Sequence, residues 1–172
     1  MGGCGRRGRD LYVSRSEENR PHSAVTKGTQ WLLTWGYVVA WGAVIFTLSA
    51  QPDLKLPESL PSFSDKVAHF SVYGVLGWLW SRAVRINRPA WVTLTVLLST
   101  FAFTGTYGLS DEWHQMYVHG RSAELLDALA DVCGGTLGGV GFLLWLRFRE
   151  DIRTRTSGGV TEQLRDPSDP AA

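Results

Sequence analysis

Apolar residues gather in four runs along this chain, and polar residues gather between them. The first run, Trp31 to Ala50, carries no charged residue. It matches the roughly 20 residues a helix needs to cross a bilayer core of about 30 Å. The rival reading is a secretory signal peptide cut near Leu48-Ser49-Ala50. A signal h-region is usually only about 7–15 residues long, whereas this run is longer and follows a long polar segment. The second run goes from about Asp65 to Ser81, with Lys66 and His69 at or inside its polar edge. Ser62-x-x-Asp65 fits a capping box that opens it. The third run, Ala90 to Tyr107, holds Thr93, Thr95, Thr100, Thr104 and Thr106. Their hydroxyls can bond back to the helix or across to a neighbour, so they are tolerated in membrane helices. The fourth run extends from roughly Ser122 to Phe148. Its uncharged part, Val132 to Leu146, is too short to span, so the helix must take in Asp127 and Glu124. Asp131 then lies about 24 Å along the helix from Arg147, inside the membrane rather than at its surface.

The pattern predicts an all-α integral membrane four-helix bundle over residues 29–148. Residues 1–28 and 149–172 lack apolar periodicity and read as disordered cytoplasmic tails. Cys4 follows no apolar run, so it is not a lipobox cysteine, and Arg6 stands where a myristoylation signal wants Ser or Thr. Gln51 to Ser64, with Pro52, Pro57 and Pro61, reads as an extended loop. Gly108 to Arg121, between runs three and four, is a dense patch of ionisable and amide side chains. A short extra helix is predicted there, with Ser110 as its N-cap and Asp111, Glu112 and Gln115 on one face.

Charge orients the bundle. Of the 17 Lys and Arg residues, all but Lys55, Lys66 and Arg121 fall on one side of an alternating four-helix path. The positive-inside bias therefore predicts two cytoplasmic termini in the inner membrane. It also brings the starts of runs two and four to the same outer face. Asp65, His69 and Tyr73 are spaced by four and form one stripe, while Glu124, Asp127 and Asp131 form another. The net charge of +1 offers no basic field for nucleic acid. Cys4 and Cys133 are too few for a disulfide framework or a zinc site, and Cys133 reads as a small apolar residue.

Each polar residue also has a structural reading. Asp65, Ser110, Asp111 and Glu112 can be helix caps. Asp127 and Asp131 can form structural ion pairs with Lys66 or Arg121, and His69 can be a satisfied structural histidine. Gly134-xxx-Gly138 and Gly135-xxx-Gly139 allow another helix to approach closely, inside the bundle or in a homodimer. Most tryptophans read as interfacial anchors.

Three separated blocks carry a resemblance. They are Asp65-Lys66-x-x-His69-Phe70-x-x-Tyr73-x-x-Leu76-Gly77, then Ser110-Asp111-Glu112-x-x-Gln115, then Gly120-Arg121-Ser122 followed by Asp127, Asp131 and Gly135. In this order they resemble the VanZ-like family of small bacterial membrane proteins over about residues 31–148. Family members often carry Asn where this chain has Asp131, which adds a potential charge. The resemblance implies a link to glycopeptide (teicoplanin) resistance and the cell envelope.

Three functions are compatible with these residues. In the first, Asp65, Lys66, His69, Tyr73, Ser110, Asp111, Glu112, Gln115, Arg121, Asp127 and Asp131 bind the polar headgroup of a membrane lipid or lipid-linked cell-wall precursor. No cofactor is expected for it. In the second, the protein is an intramembrane enzyme on a lipid-linked substrate, with His69, Glu112 and Asp127 as acid/base candidates. His69 would be oriented by Asp65 or Asp127, and a variant uses a divalent metal on His69 with Asp111, Glu112 or Asp131. In the third, Asp127, Asp131 and His69 relay protons in a transporter. That reading needs polar groups continuing to the cytoplasmic side.

Overall fold

A computed structural model gives the fold. It describes residues 27–52 and 63–163, with side-chain placement over 28–52 and 63–156. The chain divides into two compact units at Gln30; of the first, Lys27–Gln30 is described, as helix. From Trp31 on, the described residues are helical, with no strand among them. The helices are α1 (Lys27–Ser49), α2 (Ser64–Asn87), α3 (Thr93–Gln115) and α4 (Leu125–Gln163). Two of them, α1 over Gly28–Ser49 and α4 over Leu125–Thr156, are long and apolar enough to cross a membrane.

Three expectations change. The short extra helix does not exist as a separate element, because α3 runs unbroken through Gly108 to Gln115. Ser110 is therefore no N-cap, and its hydroxyl donates to the Tyr107 carbonyl one turn back. Glycine lowers helix propensity by about 1 kcal/mol and serine by less, too little to break a helix packed on its neighbours. Next, α4 continues past Phe148 to Gln163, into the segment read as a tail. Asp151 pairs with Arg155 one turn on at 2.9 Å, an i,i+4 contact that supports the first turns of this extension. Finally, half of the eight tryptophans (Trp35, Trp41, Trp78 and Trp80) are half-buried between helices rather than anchoring an interface. Trp80 stacks on Phe103 with ring centroids 3.8 Å apart, and the Trp41 indole donates to the Val72 carbonyl. Ser62, residues 1–26, most of the proline-rich loop and residues 164–172 lie outside the described residues.

The closest approach is between α2 and α4. A Cβ on Gly77 would fall onto the Gly135 carbonyl, and one on Gly138 onto the Gly74 carbonyl. The glycines of α4 thus let two backbones touch inside the chain. On the neighbouring face, Gly135 meets the Thr104 side chain of α3, and Gly139 meets Ser81 and Thr100. Those three hydroxyl residues are fully buried, and all are bonded: Ser81 with Thr100 at 2.8 Å, and Thr100 and Thr104 back to carbonyls one turn earlier. The polar lining therefore continues down the bundle, but as self-satisfied hydroxyls without a charge. The first helix, α1, stands further off and is tied by long side chains. Tyr107 donates to the Gly42 carbonyl at 2.7 Å, and Asn87 donates to Thr34 at 2.9 Å. Leu32, Leu33, Val39 and Val44 of α1 face outward with their apolar surface exposed.

Candidate functional site

The C-terminal end of α1, the start of α2, the end of α3 and the start of α4 meet at one end of the bundle. The α3–α4 connection reverses the chain there, with Gly120 at φ 78°, a conformation favourable for glycine. The reversal carries Arg121 over the α2 end.

Ten of the eleven residues expected at the site converge. Lys66 on α2 pairs with Glu124 at 2.9 Å and with Asp127 at 3.1 Å. His69 lies one turn deeper, and its Nδ1 is 3.0 Å from Oδ1 of the fully buried Asp131. Its orienting carboxylate is thus Asp131, not Asp65 or Asp127. One more turn in, Tyr73 is fully buried with an unpartnered hydroxyl. From α3 come Asp111, Glu112 and Gln115, all buried. Asp111 Oδ2 accepts from Ser49 of α1 at 2.7 Å and from the Gln115 amide at 3.3 Å. Glu112 Oε2 accepts the Glu124 backbone N–H at 2.8 Å, which locks the entry of α4 onto α3. Its Oε1 is buried without a partner. Gly108 lets α3 approach Asp131, since a Cβ there would come within 2.9 Å of Oδ2. Ser110 is the exception; it points away from the cluster, into a neighbouring groove.

Some structural readings hold alongside this convergence. Asp127 does pair with Lys66, whereas Asp131 goes to His69 and Arg121 forms no ion pair among the described residues. The charge balance is uneven. Among the described residues, the four buried carboxylates of Asp111, Glu112, Asp127 and Asp131 face only Lys66, Arg121 and His69. Buried charge without compensation is costly, so the excess of carboxylates sets the site apart from a helix-capping cluster.

Two cavities share Asp111 as a common wall. One, of about 90 Å³, is lined by Ser49, Asp65, His69, Tyr73, Gln115 and Arg121 together with the side chains of Ile45, Leu48, Ala68 and Val72. It has room for roughly three waters. The other, of about 400 Å³, is lined by Phe46, Tyr107, Ser110, Trp113, His114 and Tyr117. Phe46 and His114 stack in it at 4.4 Å. Ser49, Phe46 and His114 were missed in the sequence. Ser49 alone left a signal: a polar side chain at the end of run one that topology brings to the patch.

Two independent families of observation now meet. The structure joins the three sequence blocks at one end of a helical bundle. No curated protein and no solved structure is matched by the chain. The family model described as VanZ/LLP1 matches residues 34–147, which reaches from within α1 to within α4 and takes in every residue of the cluster, and the chain belongs to that family.

Proposed function

We propose that the protein spans the cytoplasmic membrane four times, with both termini inside, and binds the headgroup of a cell-envelope lipid or lipid-linked precursor at its outer face. One observation carries this reading: a small polar cavity and a larger aromatic groove lie side by side and share Asp111. Such a pairing suits an amphiphile, whose polar end needs hydrogen-bonding groups and whose chain needs apolar surface. Arg121 and Gln115 would meet the headgroup from above, and Trp113 and Tyr117 would line the chain's path. The positive-inside bias and the two long apolar helices support the membrane orientation. An envelope role in glycopeptide tolerance, implied by the family, is one consequence of such binding.

Native mass spectrometry of the protein in mild detergent tests the proposal. A co-purified phospholipid or polyprenyl-phosphate adduct is expected on the wild type and strongly reduced in Gln115→Ala and Trp113→Ala. Equal adducts in all three proteins, or none on the wild type, would overturn it. The His69 and Asp131 pair favours a second reading, in which the same site performs acid/base chemistry on the bound amphiphile. Turnover of a polyprenyl-phosphate or phospholipid that His69→Gln abolishes without loss of the adduct would select it.

A further inference from the structure

We propose that His69, Asp111 and Glu112, at the edge of the polar cavity, form a binding site for one divalent transition-metal cation. One ligand atom from each of the three residues lies within 4.8 Å of the others. Two ligands of one ion, each about 2.1 Å from it, stand at most about 4.2 Å apart, so small rotamer adjustments close the set.

The stronger argument is how each ligand is held. Among the described residues, His69 uses Nδ1 on Asp131 and has no hydrogen bond on Nε2. Asp111 receives both Ser49 and Gln115 on Oδ2 and leaves Oδ1. Glu112 receives the Glu124 amide on Oε2 and leaves Oε1, buried and unpartnered, on a side chain only 6 % exposed. In all three, one polar atom is anchored by the protein and its opposite number is spare among the described residues. This is the arrangement by which outer-sphere partners orient metal ligands, including the carboxylate–histidine pair. A Glu112 that served only to cap α4 would leave no reason to bury its second oxygen.

Charge points the same way, since the surplus of buried carboxylates is relieved by two added positive charges. One imidazole and two carboxylates suit Mn²⁺ or Zn²⁺ better than Mg²⁺ or Ca²⁺, which favour oxygen alone. A second grouping, Asp65, His69 and Asp127, also falls within ligand distance. It is the poorer site, because Asp127 already holds the Lys66 ammonium at 3.1 Å, and that charge repels an incoming cation.

The test uses the full chain in detergent, stripped with EDTA and titrated with Mn²⁺ alone, without added lipid. Electron paramagnetic resonance is expected to count one bound Mn²⁺ per chain, and its pulsed form to show nitrogen coupling from one imidazole. His69→Gln should abolish that coupling. Both His69→Gln and Glu112→Gln should weaken binding by at least about tenfold, while Asp127→Asn changes it little. Wild type that binds no stoichiometric Mn²⁺, or that binds it without nitrogen coupling, overturns the proposal, and neither result requires a variant to fold. A loss that follows Asp127→Asn rather than Glu112→Gln overturns it as well. The Mn²⁺ titration and the lipid adducts are read separately, so co-purified lipid adducts without Mn²⁺ binding would sink the cation site alone, and Mn²⁺ binding without lipid adducts would sink only the headgroup proposal.

Discussion

Asp131 has no surface exposure, and its two oxygens have different fates: Oδ1 meets His69, and Oδ2 sits unpartnered against Gly108. Asn can keep the first contact while removing the charge that the second oxygen leaves unsatisfied. Asp131→Asn is therefore expected to melt at the same temperature as wild type or higher in a detergent thermal scan. The same change should weaken Mn²⁺ binding by about tenfold, as loss of an outer-sphere carboxylate does. Lys66 is the opposite case. Its side chain is 29 % exposed, but its partner Asp127 is 4 % exposed, whereas Glu124 is 49 % exposed. Lys66→Met strands a buried carboxylate and should cost about 1–2 kcal/mol, a discount on the figure for a fully buried pair. Glu124→Gln, which keeps the Glu124 amide on Glu112, should stay within about 1 kcal/mol of wild type. Equal destabilisation by the two changes would mean that Asp127 does not depend on Lys66. Residue types and spacing made Asp65, Lys66, His69, Asp127 and Asp131 legible as one site. Which acid each cation chooses was not legible, because ångström differences between helix faces decide it.

At the scale of elements, the seam between α2 and α4 carries the architecture. Gly77 and Gly138 allow the two backbones to touch, and neither position has room for a methyl group. Gly77→Ala must push the helices apart along the length that aligns His69 with Asp131, and is expected to cost about 3 kcal/mol. Gly36→Ala is the control: nothing lies within 4 Å of its missing Cβ, so stability should hold or rise slightly. Comparable losses in the two variants, read by thermal unfolding, would contradict the seam. The glycine spacing in α4 was visible in the sequence, but its partner was not. The same sequence pattern serves a neighbouring helix or a second copy. The continuity of α3 through Gly108 and Ser110 was hidden for a related reason. Local propensity favours a break there, and the close packing of Gly108 on α4 with the hydrogen bonds that Asp111 and Glu112 accept from α1 and the entry of α4 outweighs it.

Across the whole molecule, the charge distribution makes the firmest forecast. With Cys4 and Cys133 replaced by serine, a cysteine at Arg88 should resist a membrane-impermeant maleimide on intact cells, and one at Arg121 should react. Labelling at Arg88 would invert the orientation and put the site inside the cell. The sequence by itself determined the helices, the end of the bundle at which the polar residues gather, and most of the residues that cluster there. These depend on periodicity, length and charge bias, which are properties of a linear string. Tertiary structure alone decided that Ser49 reaches Asp111 across 62 positions, that His69 answers to Asp131, and that Glu112 keeps a spare buried oxygen. Those contacts depend on the rotation of each helix about its axis and on how closely glycines let the helices approach, and only packing sets these two quantities.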